Sequence, residues 1–156
     1  MIEIFIPGNE PLRIEHLVLD YNGTLAEDGE LIEGVLEKMV DLAQHMLIHV
    51  ITADTHGTVE EKLEGLPCSL KVIDPQDQDR RKWEYVVAIG PKMVAAVGNG
   101  RNDALMLQTA VLGICVIQKE GASSKALHAA DIICNNILDV LDLFLQPARL
   151  RATLRN

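Results

Sequence analysis

Asp20 is the residue of this chain best placed to do chemistry. It ends the apolar run at residues 17–19 and is soon followed by Gly23 and Thr24, which favour a turn. A carboxylate at the carboxyl end of a buried strand stands in the crevice where open α/β sheets bind ligands. Asp20 is therefore a candidate nucleophile or metal ligand. The simpler alternative is an Asp that only shapes the junction between strand and turn.

Three other segments place polar groups near predicted strand ends. Thr52 stands at the carboxyl edge of the strand at 48–52, and Lys82 opens the helix that precedes the strand at 93–97. That strand runs into the glycine-rich segment 98–103, which ends in Asp103. In a doubly wound sheet these ends face one crevice. An acid, a hydroxyl, an ammonium and a second polar loop would then surround a phosphate and a divalent ion.

Each of these residues also has an ordinary structural explanation. Thr52 could cap the next helix, Lys82 could lie on a solvated helix face, and Asp103 could be an acid at a helix start. It is improbable that only these explanations hold at successive strand ends of one chain. The set together favours a functional site.

Short apolar strands alternate with helices along the chain, which predicts a parallel sheet covered on both faces. The predicted fold class is α/β, doubly wound and mainly parallel, in a single domain (1–156) with no cap domain and a short N-terminal β-hairpin. The predicted strands are 2–6, 13–20, 48–52, 70–73, 93–97, 112–117 and 131–134. The predicted helices are 35–46, 58–63, 80–89, 102–109, 123–130 and 137–154, the last interrupted or kinked at Pro147.

The composition of the chain argues against several classes of binding partner and several kinds of site. The formal net charge of −9 argues against nucleic acid and against an anionic membrane surface. No apolar run is long enough to span a bilayer, and Cys68, Cys115 and Cys134 are too widely spaced for a zinc or disulfide framework. We expect a cytoplasmic protein. Its histidines predict no metal site. A helix-to-strand junction separates His45 from His49. No partner at ligand spacing exists for the other histidines, which we interpret as surface or packing residues: His16, His56 and His128.

Four segments resemble the motifs of the haloacid dehalogenase-like (HAD) phosphotransferase superfamily, in the form found in the phosphorylation domain of P-type ATPases. Residues 20–25 resemble Asp-Lys-Thr-Gly-Thr-Leu, and residues 52–54 resemble Thr-Gly-Asp. Lys82 resembles the lysine before the last motif, and residues 98–104 resemble Gly-Asp-Gly-x-Asn-Asp-Ala. The match runs from residue 17 to residue 104 with order and spacing intact.

The resemblance implies roles for these residues. Asp20 would attack the phosphoryl group and form an aspartyl phosphate that water later opens. The resemblance further implies Mg²⁺ as cofactor. Its ligands would come from Asp20, Asn22, Asn99 and Asp103. The phosphate-binding set would be Gly23, Thr24, Thr52, Ala53, Lys82 and Asn102, with Asp20, Thr52 and Lys82 as the catalytic group.

Two residues depart from the family pattern. Asn22 stands where phosphatases carry the Asp that protonates the leaving group, and the loss of a general acid typically costs about 10²–10⁴ in rate. P-type ATPases lack that acid as well. Asn99 replaces an acidic metal ligand by a neutral amide, so we expect Mg²⁺ binding that is weakened but retained. Slow turnover is therefore predicted, on substrates with good leaving groups.

The intervals between the motifs leave no room for an inserted cap or nucleotide-binding domain, and residues 26–34 allow only a small flap. We expect an open site that admits a phosphorylated small molecule or macromolecule, or that a second copy covers in a homo-oligomer. Ion pumping is not expected. Two alternatives stay open: a catalytically degenerate phospho-binding or regulatory module, and a receiver domain of the response-regulator type, which fits the order of the acids less well.

Overall fold

The computed structural model describes residues 1–54 and 58–155, and its regular elements follow one another along the chain. The strands are β1 (Ile2–Ile4), β2 (Leu12–Ile14), β3 (His16–Asp20), β4 (Ala26–Glu27), β5 (Glu30–Leu31), β6 (Leu47–Thr52), β7 (Ser69–Val72), β8 (Val94–Gly98), β9 (Leu112–Val116) and β10 (Ile132–Cys134). The α-helices are α1 (Val35–Leu42), α2 (Thr58–Leu63), α3 (Gln78–Ile89), α4 (Ala104–Thr109), α5 (Ser124–Ala129), α6 (Ile137–Leu145) and α7 (Pro147–Leu154). Short 3₁₀ helices at Pro91–Met93 and Arg101–Asp103 precede β8 and α4.

Six parallel strands form the central sheet in the order β10-β9-β8-β3-β6-β7. Counted along the chain within this sheet, the order is 3-2-1-4-5-6, the doubly wound arrangement with its switch point between β3 and β8. This confirms the predicted fold class. Response-regulator receivers have the order 2-1-3-4-5 instead, so the receiver alternative is wrong.

Both faces of the sheet are covered, as the apolar strands predict. Leu17 and Leu19 of β3 pack into one core cluster and Val18 into the other, and all three are fully buried. Every residue of β8 is buried as well. Near-continuous apolar strands of this kind are typical of a parallel sheet between two helical layers.

The N-terminal hairpin exists, but its second strand is shorter than predicted. The expected strand at 13–20 is divided at Glu15 into β2, which pairs with β1, and β3, which enters the central sheet. The backbone N–H of Glu15 donates to the Met93 carbonyl, and its carbonyl accepts from the Leu47 N–H. The chain changes sheets at this residue, a change that the strand pattern of residues 13–20 does not reveal.

One helical prediction is wrong at its end, and the predicted interruption of the last helix at Pro147 is confirmed. The helix predicted at 35–46 ends at Leu42, and the following turn still brings Met46 into the core, so the apolar periodicity outlasts the helix. The helix predicted at 137–154 is two helices that meet at Gln146, with Pro147 in the first turn of the second. Proline lacks the N–H that a continuous helix needs, and it suits a helix start.

The elements that follow Asp20 form a small flap. Strands β4 and β5 pair as an antiparallel hairpin, which confirms the small flap predicted within residues 26–34. In the part of the chain that the structure describes, no helix is both long and apolar enough to cross a membrane.

Candidate active site

The carboxyl ends of three adjacent strands form the candidate site. Asp20 is the last residue of β3, Thr52 ends β6 on one side, and Asn99 directly follows β8 on the other. In register, Asp20 lies opposite Ile51 of β6. The site therefore lies at the switch point of the sheet, where the crevice of a doubly wound fold opens.

Lys82 joins Asp20 to Asp103 across this crevice. Its Nζ lies 2.6 Å from Oδ1 of Asp20 and 2.6 Å from Oδ1 of Asp103. The side chain of Lys82 is 1% exposed, so the contact is shielded from solvent. Helix α3 supplies the lysine from above one face of the sheet. The convergence of residues 20, 82 and 103 that the sequence predicts is present.

The charges in this group do not balance. Burial, followed by the charge of Asp103, raises the pKa of Asp20 to about 7, although Lys82 and Thr24 oppose the rise. Burial works against the charge of Lys82, yet the two carboxylates raise its pKa above the ordinary value. One ammonium thus faces two carboxylates, and another cation near Asp20 would stabilise its ionised form.

Both oxygens of the Asp103 carboxylate accept hydrogen bonds on the side of the site that faces away from the cavity. Its Oδ2 accepts hydrogen bonds from the backbone N–H groups of Asn99 and Gly100, at 3.0 and 2.8 Å, while Oδ1 accepts from Lys82. A Cβ on Gly98 would lie 2.4 Å from Cγ of Asp103, so glycine is required there. Asp103 therefore faces Lys82 and its own loop, where it supports the site from behind.

The turn after β3, residues 20–26, is called the Asp20 loop below. The hydroxyl of Thr24 is buried and lies 3.2 Å from Oδ2 of Asp20, to which it donates. The N–H of Thr24 bonds to the Tyr21 carbonyl and that of Gly23 to the Ala26 carbonyl. Gly23 and Thr24 belong to the phosphate-binding set that the resemblance implies, and in the structure hydrogen bonds within the loop occupy their N–H groups.

Asn99 packs between two loops. Its Nδ2 donates to the Gly121 carbonyl at 2.9 Å, and its Oδ1 lies 3.5 Å from the Thr24 hydroxyl. Gly23 has a φ of 77°, and a Cβ there would come within 2.4 Å of Nδ2 of Asn99. The amide thus needs a glycine beneath it, and both of its ends contact the protein.

A cavity of about 530 Å³ opens above Asp20. Six residues predicted from the sequence line it: Asp20, Asn22, Thr52, Ala53, Asn99 and Asn102. The other predicted residues, Gly23, Thr24, Lys82 and Asp103, lie behind this lining and contact it. The hydroxyl of Thr52 accepts a hydrogen bond from the backbone N–H of Asp54 at 3.2 Å.

Some lining residues were missed by the sequence reasoning. Gln78 lies four residues before Lys82, on the same face of α3, and its Oε1 accepts from Nδ2 of Asn102 at 2.7 Å. That helical spacing is a signal that could have identified it. Lys62 of α2 also lines the cavity, and its Nζ contacts the Gly29 carbonyl of the flap at 2.6 Å.

Two histidines that are distant in the sequence lie side by side. Nδ1 of His16 lies 3.0 Å from Nε2 of His49. Adjacent strands β3 and β6 bring these two rings together, a contact that the sequence spacing of the histidines does not reveal. Nδ1 of His49 contacts the Tyr85 hydroxyl at 2.8 Å. His56 lies outside the described residues.

The donor atoms around Asp20 fit a hard divalent cation. Within residues 1–54 and 58–155, no three His, Cys, Asp or Glu side chains form a cluster that could hold a metal ion. The predicted ligands that line the cavity are one carboxylate, that of Asp20, and oxygens of Asn22 and Asn99 on the same wall. Oxygen donors of this kind suit Mg²⁺, and a ligand set with one carboxylate predicts modest affinity.

Comparison with known proteins finds two sequences that are similar to parts of this chain. No protein-family model matches the chain. The uncharacterized protein MJ0073 of Methanocaldococcus jannaschii is 52% identical over 65 residues, which cover 42% of this chain and 70% of that protein. A second uncharacterized protein of that organism, MJ0072, is 44% identical over 39 residues, 25% of this chain and 89% of its own length.

Solved structures share the fold at low sequence identity. The cobalt-bound deoxy-D-mannose-octulosonate 8-phosphate phosphatase of Haemophilus influenzae superposes with a TM-score of 0.73 at 12% identity, covering 91% of this chain and 93% of that one. The Moraxella catarrhalis 3-deoxy-D-manno-octulosonate 8-phosphate phosphatase, bound to magnesium, phosphate and KDO, has a TM-score of 0.66 at 18% identity, with 89% and 90% covered. A Legionella pneumophila protein assigned to the HAD superfamily of hydrolases has a TM-score of 0.69 at 20% identity, with 91% and 87% covered.

Proposed function

The chain belongs to the same family as MJ0073 and has the fold of HAD hydrolases, and from this we propose that it is a divalent-metal-dependent phosphohydrolase with Asp20 as nucleophile. One observation carries the proposal. The carboxylate of Asp20 reaches the cavity at the switch point of the sheet while the buried ammonium of Lys82 contacts it from behind. A carboxylate held in this way can attack a phosphoryl group that lies in the cavity.

The residues of the site have different roles in phosphoryl transfer. One oxygen of Asp20 attacks phosphorus in line, the bond to the leaving oxygen breaks, and water later opens the aspartyl phosphate. Lys82, Thr52 and Asn102 stabilise the charge on the equatorial oxygens, which is where transfer is chiefly assisted. Mg²⁺ bound by Asp20, the Asn22 carbonyl and Asn99 would neutralise charge between Asp20 and the phosphate.

Asn22 limits the range of leaving groups. Its side chain is exposed on the cavity wall and cannot donate a proton to a departing alkoxide at neutral pH. Acyl phosphates, aryl phosphates and nucleotides, whose leaving groups need less protonation, are therefore the substrates we propose. In this respect the chain would act like the phosphorylation domain of P-type ATPases, and turnover would be slow.

Among these substrates, the rim of the cavity favours those that carry no negative charge besides the phosphoryl group that is transferred. Glu120 lines it, and the cation among its described lining residues, Lys62, is already paired with Glu30 at 2.7 Å. A second negative charge on the substrate would meet net repulsion there. A phosphate ester of an uncharged group should thus be hydrolysed faster than the matching ester that carries a carboxylate.

Phosphate release from an acyl, an aryl and a nucleotide phosphate, with Mg²⁺ and with EDTA, tests the proposal. We expect release with Mg²⁺ that Asp20→Asn abolishes and that the exposed control Asp41→Asn leaves unchanged. Asn22→Asp should raise the rate on alkyl phosphates by about 10²-fold, since it restores a general acid. Release that survives Asp20→Asn would refute the proposal.

A phospho-binding module without turnover is the second candidate, and the amide at Asn22 is the observation that favours it. In that case calorimetry would detect phosphate binding that needs Mg²⁺. Neither the natural chain nor Asn22→Asp would release phosphate from any ester, and no phosphoenzyme could be trapped.

A further inference from the structure

Gln118 connects the Asp20 loop to the helical core. It lies just after β9, and its Nε2 donates to the carbonyls of Gly23 at 3.1 Å and Thr24 at 2.8 Å. At the other end of the same amide, Oε1 accepts from the N–H of Ile137 at 2.8 Å. Ile137 is the first residue of α6, where N–H groups have no partner within the helix. We propose that Gln118 is a positioning residue that holds the Asp20 loop in its working conformation.

The contacts of the loop explain why both of its carbonyls matter. The Gly23 carbonyl shares a peptide plane with the Thr24 N–H, and the Thr24 carbonyl shares one with the Leu25 N–H. Both N–H groups bond to the Tyr21 carbonyl inside the loop, and Gln118 holds the carbonyl side of both planes. Those planes determine how Thr24 reaches Asp20 and how Gly23 lies beneath Asn99. A rotation of either plane would move a group that touches the reacting carboxylate or the predicted metal site.

The far end of Gln118 is anchored to a rigid part of the fold. Helix α6 buries Ile137, Val140, Leu141 and Phe144 in the main core. Gln118 thus links the Asp20 loop to the packed interior, which fixes the conformation of the loop. A surface contact would hold it less firmly.

Neighbouring residues of the same segment add to this role. Residues 117–123 connect β9 to α5, and within them Glu120 accepts from the N–H of Asp28 in the flap at 3.2 Å. The Gly121 carbonyl accepts from the side chain of Asn99. One segment therefore contacts the Asp20 loop, the flap and the loop after β8, and Gln118 makes three of its side-chain hydrogen bonds.

The chemistry of the amide explains the residue type. A side chain that donates to two carbonyls and also accepts from an N–H must be an amide, and Gln has the length to bridge them. Gln118→Glu keeps the acceptor for Ile137 but turns an oxygen toward the carbonyls of Gly23 and Thr24. Gln118→Met keeps the length and removes both kinds of contact. The two variants separate the loop contact from the helix contact.

Hydrogen exchange and kinetics test the proposal together. The matched control is Gln108→Glu, which makes the same change on the exposed face of α4. In Gln118→Glu and Gln118→Met we expect amide exchange of residues 23–26 to rise about tenfold or more, with no change in the β1–β2 hairpin. In the same variants kcat should fall about 10- to 100-fold while KM stays within about threefold, since misplaced reacting groups affect the chemical step most.

The two readouts also keep this inference separate from the proposed function, on which only its kinetic part rests. If the natural chain has no phosphohydrolase activity, the proposed function fails and hydrogen exchange alone decides the role of Gln118. Exchange of residues 23–26 that matches the natural chain in both variants would overturn the inference. So would faster exchange that is equal in the hairpin, because that would indicate a general loss of stability.

Discussion

Restoring an acid at position 99 should destabilise this protein when no divalent cation is present. In Asn99→Asp, an oxygen would replace the Nδ2 that donates to the Gly121 carbonyl at 2.9 Å. The side chain is buried, so the carbonyl loses its partner and faces a second acceptor. A lost hydrogen bond that leaves a buried group unpaired costs about 1–3 kcal/mol.

The new charge would also lie close to Asp20. The Thr24 hydroxyl is 3.2 Å from Oδ2 of Asp20 and 3.5 Å from Oδ1 of Asn99, so these two oxygens are at most about 6.7 Å apart. Two unit charges at that separation repel by about 2.5 kcal/mol at an effective dielectric constant of about 20. At a pH well above 7, where Asp20 is ionised, the two effects together predict a loss of about 3.5–5.5 kcal/mol in the free energy of unfolding.

Urea unfolding with EDTA and with Mg²⁺ measures this effect. In EDTA, Asn99→Asp should lose most of the predicted stability, while Asn9→Asp in the exposed hairpin turn should lose almost none. Mg²⁺ should restore stability to Asn99→Asp more than to the natural chain, because binding to the folded state alone stabilises it. A variant as stable as the natural chain in EDTA would refute this account of the Asn99 contacts.

Three further substitutions probe separate features. Lys82→Met leaves two buried carboxylates without their cation. The free energy of unfolding in urea at neutral pH should therefore fall by about 3–5 kcal/mol. A smaller loss at acidic pH would show that protonation relieves the repulsion between the carboxylates. Gly23→Ala should cost about 1–3 kcal/mol by thermal unfolding, since φ is 77° and the added Cβ would meet Asn99 at 2.4 Å; an unchanged melting temperature would contradict this. Burial lowers the pKa of His49 below its ordinary 6.5. As pH falls, His49 therefore takes up a proton in the unfolded chain before it does so in the folded chain. The free energy of unfolding should fall as pH drops below about 6.5. His49→Phe should flatten that profile, whereas the exposed control His128→Phe should not, and equal profiles in both would exclude His49 as the cause.

The sequence predicted those parts of the site that follow from chain direction. Parallel strands end at one edge of a sheet, so apolar runs that stop at Asp20, Thr52 and Asn99 are enough to bring these residues together. Lys82 could be predicted as well, because a helix that follows a parallel strand begins at the carboxyl edge of the sheet, and Lys82 lies near the start of α3.

Contacts between loops could not be predicted in the same way. Gln118 meets the Asp20 loop through side-chain geometry across a large sequence separation, and no periodicity encodes such a contact. The pairing of His16 with His49 depends on the register of β3 against β6, which apolar patterns do not specify. The bonds that occupy the Gly23 N–H arise from the particular turn that follows Asp20.

The two asparagines that depart from the family pattern have different structural surroundings, and this bears on the choice between enzyme and degenerate module. In the part of the chain that the structure describes, the side chain of Asn22 is exposed and makes no hydrogen bond. Asn99 is buried and bonded to Gly121, with Gly23 beneath it. A residue left over from lost catalysis would have no reason to be fitted on both sides, so the surroundings of Asn99 favour a site that works with an amide there. We therefore expect Asn22→Asp to act on rate without a change in stability, and Asn99→Asp to change stability whether or not the rate responds.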